Sequence, residues 1–149
     1  LLNDQPNLTD RLVQGRLFLD WVFEPHLCYL QALKGLSHLD GVHAASHVTG
    51  GGMVDNLSRV LPQGISATID LSTIRVLPVF DAIREAGGVS EADMLRTFNL
   101  GVGLTLVARP SRVEEIGSLL SARGYVSYPI GKVHSGDQTV STTGELQWA

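Results

Sequence analysis

The densest set of residues able to do chemistry in this 149-residue chain is Ser46-His47-Val48-Thr49-Gly50-Gly51-Gly52-Met53. Glycine loses more backbone entropy on folding than any other residue, so three in a row mark a place where side chains are not tolerated. Backbone N–H groups of Gly50, Gly51 and Gly52, aimed at one point beside a helix start, would form an anion cradle. A flexible turn that is merely rich in glycine is the other reading of the same residues. His47 can hydrogen-bond an anionic ligand there or brace the loop, and Thr49 adds a hydroxyl. A second constellation is Thr97-Phe98-Asn99-Leu100-Gly101-Val102-Gly103. The Asn99 amide both donates and accepts, which suits a ligand or a turn. Gly101 and Gly103, two apart, would clear one face of a strand for a ligand or another backbone.

Other polar residues read less sharply. His43 and His47 share a face if their segment is a strand, with His38 nearby. A metal site needs further ligands, and there is neither a second cysteine nor a His-Glu-x-x-His pattern, so none is expected. Asp70, beside Ser72 and Thr73, reads as a turn or cap acceptor, and Glu114-Glu115 as a solvated helix start. Cys28 lies among apolar residues and reads as a buried thiol. No nucleophile elbow or dinucleotide fingerprint is present, and the three glycines lack the lysine of a P-loop. No residue is assigned a catalytic role.

Composition bounds the class. The length suits one domain with a real core, and an apolar fraction of 44% argues against disorder. A formal net charge of −4 without any run of basic residues points away from nucleic acid. Val102 to Ala108 is far too short to span a bilayer, and the polar N-terminus has no leader pattern. A single cysteine fits a reducing, cytoplasmic compartment. The first residue is Leu1, so a piece of a longer protein, or a processed product, is expected.

Periodicity then supplies the elements that must hold these residues. Leu8, Leu12, Leu17 and Trp21 recur at helical spacing, and Leu27, Leu30, Leu33 and Leu36 mark a second short helix. A strand is expected over Val42–Val48, a helix through Met53, Leu57 and Val60, and a strand over Ile65–Leu71. Pro78 opens a helix that Gly87-Gly88 stops, and Ser90 caps the next. Gly101–Ala108 reads as a strand buried on both faces, Ser111 to Glu114 as a capping box, and Tyr125–Val133 as a strand. A terminal strand is expected near Glu145 to Trp148. The result is an α/β chain of helices layered on a mixed β-sheet: a helical lead-in over 1–41, a core over 42–133 and a tail over 134–149.

Several of these segments occur together in a known order: Ser46 to Met53, Asn56 to Pro62, Ile69 to Ser72, Pro78 to Phe80, and Met94 to Gly103. In this the chain resembles the C-terminal half of the aminoimidazole ribonucleotide synthetase family, also called phosphoribosylformylglycinamidine cyclo-ligases. The resemblance implies the C-terminal domain fold of that superfamily and an ATP-dependent ring closure of formylglycinamidine ribonucleotide in purine biosynthesis. It implies ATP and Mg²⁺ held mainly by an N-terminal domain absent here, which also makes most of a homodimer. It implies that His47, Thr49, Gly50, Gly51, Gly52, Asn99 and Gly101 line the substrate and phosphate region, with this domain inactive alone. Partners are then the N-terminal domain and the ribonucleotide, with no nucleic acid and no membrane. One departure is visible: a Glu-Pro-Thr-Arg-type run in the family reads Glu24-Pro25-His26-Leu27-Cys28-Tyr29, without the basic residue. Related ATP-using enzymes of the same fold are the alternative: selenophosphate synthetase, thiamine-phosphate kinase or a hydrogenase maturation protein. A non-catalytic binding domain that has kept the fold is another.

Overall fold

A computed structural model describes residues 5–148. The lead-in departs from the helix expected over Leu8 to Trp21. A 3₁₀ turn at Pro6–Leu8 is followed by a small hairpin, β1 (Leu12–Val13) and β2 (Arg16–Leu17), and only Phe18–Val22 is helical (α1). Gln14 and Gly15 both take positive φ, 48° and 80°, as a two-residue hairpin turn matched to strand twist requires. The Trp21 indole N–H donates to the Val13 carbonyl at 3.1 Å, and the Arg16 guanidinium lies 5.0 Å over the Trp21 ring. Leu8, Val13 and Phe18 are buried against Val79 and Ala82. The helical spacing of the leucines is thus met by a hairpin folded onto a short helix.

The second helix, α2 (Leu30–Leu36), buries Ala32 and Leu36 against Ile116 and Leu120. Cys28 precedes it and is exposed, not buried, because its segment runs along the surface. β3 (Val42–His47) follows, with His43, Ala45 and His47 on its exposed face. α3 (Gly52–Ser58) buries Met53 and Leu57, and β4 (Ile65–Asp70) buries Ala67 and Ile69. Asp70 then caps a 3₁₀ turn: its Oδ1 accepts from the Ser72 N–H at 3.0 Å and the Ser72 hydroxyl at 2.6 Å.

α4 (Pro78–Gly87) begins on its proline and ends at Gly88 in the left-handed region. α5 (Glu91–Thr97) is capped by Ser90, whose hydroxyl oxygen accepts from the Asp93 N–H at 3.2 Å. β5 covers Leu104–Ala108 and starts later than expected. Asn99 to Val102 form a turn in which the Val102 N–H donates to the Asn99 carbonyl at 2.9 Å, so Gly101 and Gly103 precede the strand. Thr105 is its one buried residue and the rest are partly exposed, short of burial on both faces.

α6 (Val113–Ser121) has no side-chain cap. Ser111 lies inside a preceding 3₁₀ turn, Pro110–Arg112, so the expected capping box does not form. Tyr125 to Ile130 is irregular, and β6 begins only at Gly131 and runs to Ser135. Pro129 has no N–H for a ladder, and Tyr128 is turned aside under the Arg75 guanidinium at 4.4 Å. The tail contributes β7 (Val140–Thr143), while the terminal segment makes a single bridge, Arg75 with Gln147.

β4 is central in a three-stranded mixed sheet, antiparallel to β6 and parallel to β7. β3 pairs with β5 in a separate antiparallel ribbon, His47 opposite Leu104. Helices packed on these sheets make an α/β domain. The main core gathers residues of α3, β4 and α5 and the turns beside them, where Met94 and Leu100 are wholly buried beside Val48, Met53 and Ile69. Among the described residues, no helix is long and apolar enough to cross a membrane.

α3 packs on α5 through Gly52. A methyl built on Gly52 would overlap the Leu95 carbonyl oxygen, and its φ is +65°. At Gly50 none of the described residues would lie within 4 Å of an added methyl, and φ is not positive. Gly52→Ala should therefore destabilise the protein by about 3 kcal/mol or more, by overlap and backbone strain together. Gly50→Ala should stay within about 0.5 kcal/mol of wild type, as at an open surface position. Ser90→Ala should lose about 1 kcal/mol with its cap. Denaturant midpoints of the three variants check all of these.

Candidate functional site

The structure brings the two constellations together at one end of the β3–β5 ribbon. The Val48 N–H donates to the Gly103 carbonyl at 2.9 Å. The Asn99 Nδ2 reaches the Val48 carbonyl at 3.5 Å, and its Oδ1 accepts from the Gly101 N–H at 3.0 Å. Gly52 meets the carbonyls of Leu95 and Phe98. The turns over residues 47–52 and 98–103 thus share backbone contacts, although 51 residues separate Val48 from Asn99.

The glycine turn has a brace that sequence reasoning passed over. Asn56 is 6% exposed, and its Nδ2 donates towards the carbonyls of Thr49 at 3.4 Å, Gly50 at 3.1 Å and Gly52 at 2.9 Å. Its own carbonyl accepts from the buried Ser46 hydroxyl at 2.7 Å. Asn56 stands one helical turn after Gly52, so its side chain folds back over the start of α3. That i+4 spacing inside the motif was the available signal.

With its carbonyls held inward, the turn leaves donors outward. The Gly52 N–H is spent on the Thr49 carbonyl at 3.1 Å. Among the described residues, the N–H groups of Thr49, Gly50 and Gly51 have no protein acceptor. Thr49 and Gly50 are exposed and Gly51 is half-buried. Two or three adjacent donors of this kind suit an anionic oxygen.

The site residues then separate by what this chain asks of them. Gly52 is required by packing. Gly51 sits at φ 97° with the Asp55 carboxylate beside it, so an added side chain would press on Asp55. A side chain on Gly101 would press on Leu77 and on the Arg75 carbonyl, which places its need in packing as well. Asn99 spends its amide on backbone. His47 is exposed and its ring meets Tyr29 at 5.9 Å between centroids, edge on at 66°. Tyr29 itself is half-buried; burial, and then the neighbouring Tyr125, push its hydroxyl above the ordinary tyrosine range. It is a neutral phenol throughout the neutral range. His38 and His43 are exposed. Among the described residues no three His, Cys, Asp or Glu side chains converge as a metal site needs.

Comparison with known proteins adds the following. The family model for AIR synthase related protein, C-terminal domain, matches residues 19–143. A phosphoribosylformylglycinamidine cyclo-ligase of Limosilactobacillus reuteri is 37% identical over 126 residues, covering 83% of this chain and 36% of that protein. The protein of the same name from Bifidobacterium animalis subsp. lactis is 38% identical over 128 residues, covering 86% and 36%. That of Staphylococcus saprophyticus is 32% identical over 137 residues, covering 92% and 40%. The chain therefore spans 36% to 40% of the length of these relatives. Among solved structures, Escherichia coli HypE, a hydrogenase maturation protein, aligns with a TM-score of 0.57 at 21% identity, over 78% of this chain and 36% of that one. Thiamine-monophosphate kinase of Stenotrophomonas maltophilia aligns with a TM-score of 0.52 at 18% identity, over 72% and 33%. These two share the fold. Because the family model runs without a break from α1 through both turns to the end of β7, the chain belongs to the AIR synthase related proteins, as their C-terminal domain.

Proposed function

We propose that this chain is the C-terminal part of an ATP-dependent cyclo-ligase that converts formylglycinamidine ribonucleotide to aminoimidazole ribonucleotide. Its turn over residues 47–52 forms one wall of the substrate cleft and holds an anionic group of the ribonucleotide. The observation that carries the placement is Gly50. Among the described residues, neither its φ nor any neighbour within 4 Å explains a glycine there, and its N–H and those beside it have no protein acceptor. A ligand approaching the backbone closely would account for both. The names of the relatives support the reaction.

In this reading Thr49, Gly50 and Gly51 bind and orient, and His47 adds a ring nitrogen at the rim. Ring closure joins a nucleophilic nitrogen to an activated carbon within one substrate, so holding the substrate's phosphate end fixes the reacting geometry. ATP supplies the activation. We assign Mg²⁺ and the triphosphate contacts to a preceding domain, as the resemblance to the synthetase family implies. The same domain would give the full-length protein its homodimer, and the work would take place in the cytoplasm. Asn99, Gly52 and Gly101 act behind the wall by holding its shape.

The apolar lead-in fits such a neighbour. Phe23 is 76% exposed, Leu27 57% and Leu30 53%, with Leu17 and Leu33 close in sequence and also exposed. Covering one such side chain contributes about 2 kcal/mol, so together they suit a stable domain contact. Alone, the chain would lack both the activation chemistry and this cover, and would be inactive.

The test is ADP release by the full-length protein with formylglycinamidine ribonucleotide. Gly50→Val should raise KM about tenfold, near 1.4 kcal/mol of lost binding, with the thermal midpoint little changed. Absence of substrate-dependent turnover in the wild type would overturn the reaction. Turnover indifferent to Gly50→Val would leave the reaction and remove the site. Separately, the isolated chain should bind a hydrophobic dye more strongly than the full-length protein, and Phe23→Ser with Leu27→Ser should lower that signal. Equal dye binding by both forms would argue against the proposed cover.

A further inference from the structure

We propose that Tyr29 is a positioning residue that fixes the His47 ring at the rim of the glycine turn; this rests on the reading of that turn given above. Three independent contacts converge on Tyr29. On one side its ring stacks on Tyr125, with centroids 6.3 Å apart and planes 29° apart. On the other it meets His47 edge on, the geometry that opposes a ring edge to a ring face. At its tip the hydroxyl occupies the space that a Cβ on Gly103 would fill.

The backbone is pinned as well. The Tyr29 carbonyl accepts from the Leu33 N–H at 3.0 Å at the start of α2, and the preceding Cys28 carbonyl accepts from the Tyr125 hydroxyl at 2.6 Å. Tyr29 therefore joins three segments: the stretch before α2, the loop after α6, and the last residues before β5. The His47 ring has no hydrogen-bond partner among the described residues, so an exposed imidazole there would otherwise sample several rotamers. The aromatic contact restricts the ring without a hydrogen bond to it from any side chain among the described residues. Gly103 reads accordingly: it is a glycine so that the phenol can stand where it does.

The experiment uses the full-length protein, with His47→Ala, Tyr29→Leu, Tyr29→Phe and the Tyr29→Leu/His47→Ala double variant. Tyr29→Leu should raise KM about fivefold with kcat within about twofold, and the double variant should be no worse than His47→Ala alone, as for two residues acting as a unit. Tyr29→Phe, which keeps the ring, should restore KM. In spectra of protein labelled at histidine, the His47 ring protons should carry an aromatic ring-current shift that Tyr29→Leu abolishes and Tyr29→Phe keeps. Additive KM effects, or a His47 resonance unmoved by Tyr29→Leu, overturn the proposal. If the wild type shows no turnover, the functional reading fails and the ring-proton shift decides the positioning by itself. If a lowered thermal midpoint accompanies Tyr29→Leu, Gly103→Ala serves as the second variant. It displaces the phenol from outside and should reproduce the His47 shift change, whereas an unmoved resonance there also overturns the proposal.

Discussion

The arrangement depends on one buried amide. Asn56 gathers the carbonyls of Thr49, Gly50 and Gly52 on its two N–H groups, and the Ser46 hydroxyl in turn bonds its backbone. A carbonyl left unpaired away from water costs about 1–3 kcal/mol, and this amide satisfies the buried Gly52 carbonyl while it draws in the two part-buried ones. Asn is the short side chain that donates twice from a single planar group. Once the carbonyls are drawn in, peptide geometry turns the N–H groups out. The outward donors of the turn follow from the inward capture of its acceptors.

The turn is held from the other side by a strained neighbour. Leu100 takes φ +54°, a conformation that costs a residue with a side chain about 1–3 kcal/mol. Its side chain is wholly buried in the main core, and burial of that size offsets the strain. Asn99 and Gly101 frame it: the Asn99 amide ties the Gly101 N–H on one side and the Val48 carbonyl on the other. The two turns thus form one unit, with a polar rim at the surface and Leu100 and Met94 beneath it. Glu85, far from this unit, shows the ordinary surface case. Its hydrogen bond to Arg11 draws its carboxyl below the usual range, in a pair between α4 and the lead-in that solvent reaches.

The lead-in behaves differently from the rest. Its own small core of Leu8, Val13, Phe18, Val79 and Ala82 is satisfied, yet Phe23, Leu27 and Leu30 remain outside it. The segment buries one set of apolar residues and presents another, which is the pattern that the proposed domain contact requires. Tyr29 lies where this segment meets the site, which is why a contact from the lead-in reaches His47 at all.

The sequence by itself determined the α/β alternation from β3 onward, the start of α4 at Pro78 and the cap at Ser90. These rest on short-range rules, since capping, proline geometry and strand alternation act within a few residues. Only the tertiary structure decided what each glycine is for. Gly52 faces the Leu95 carbonyl from α5, Gly101 faces Leu77, and Gly50 faces nothing within 4 Å, although all three read alike in the sequence. It likewise turned the helical spacing of Leu8 to Trp21 into a hairpin and put Cys28 on the surface. In each case the deciding atom lies far along the chain, and local spacing carries no information about which distant carbonyl, ring or open space a residue will face.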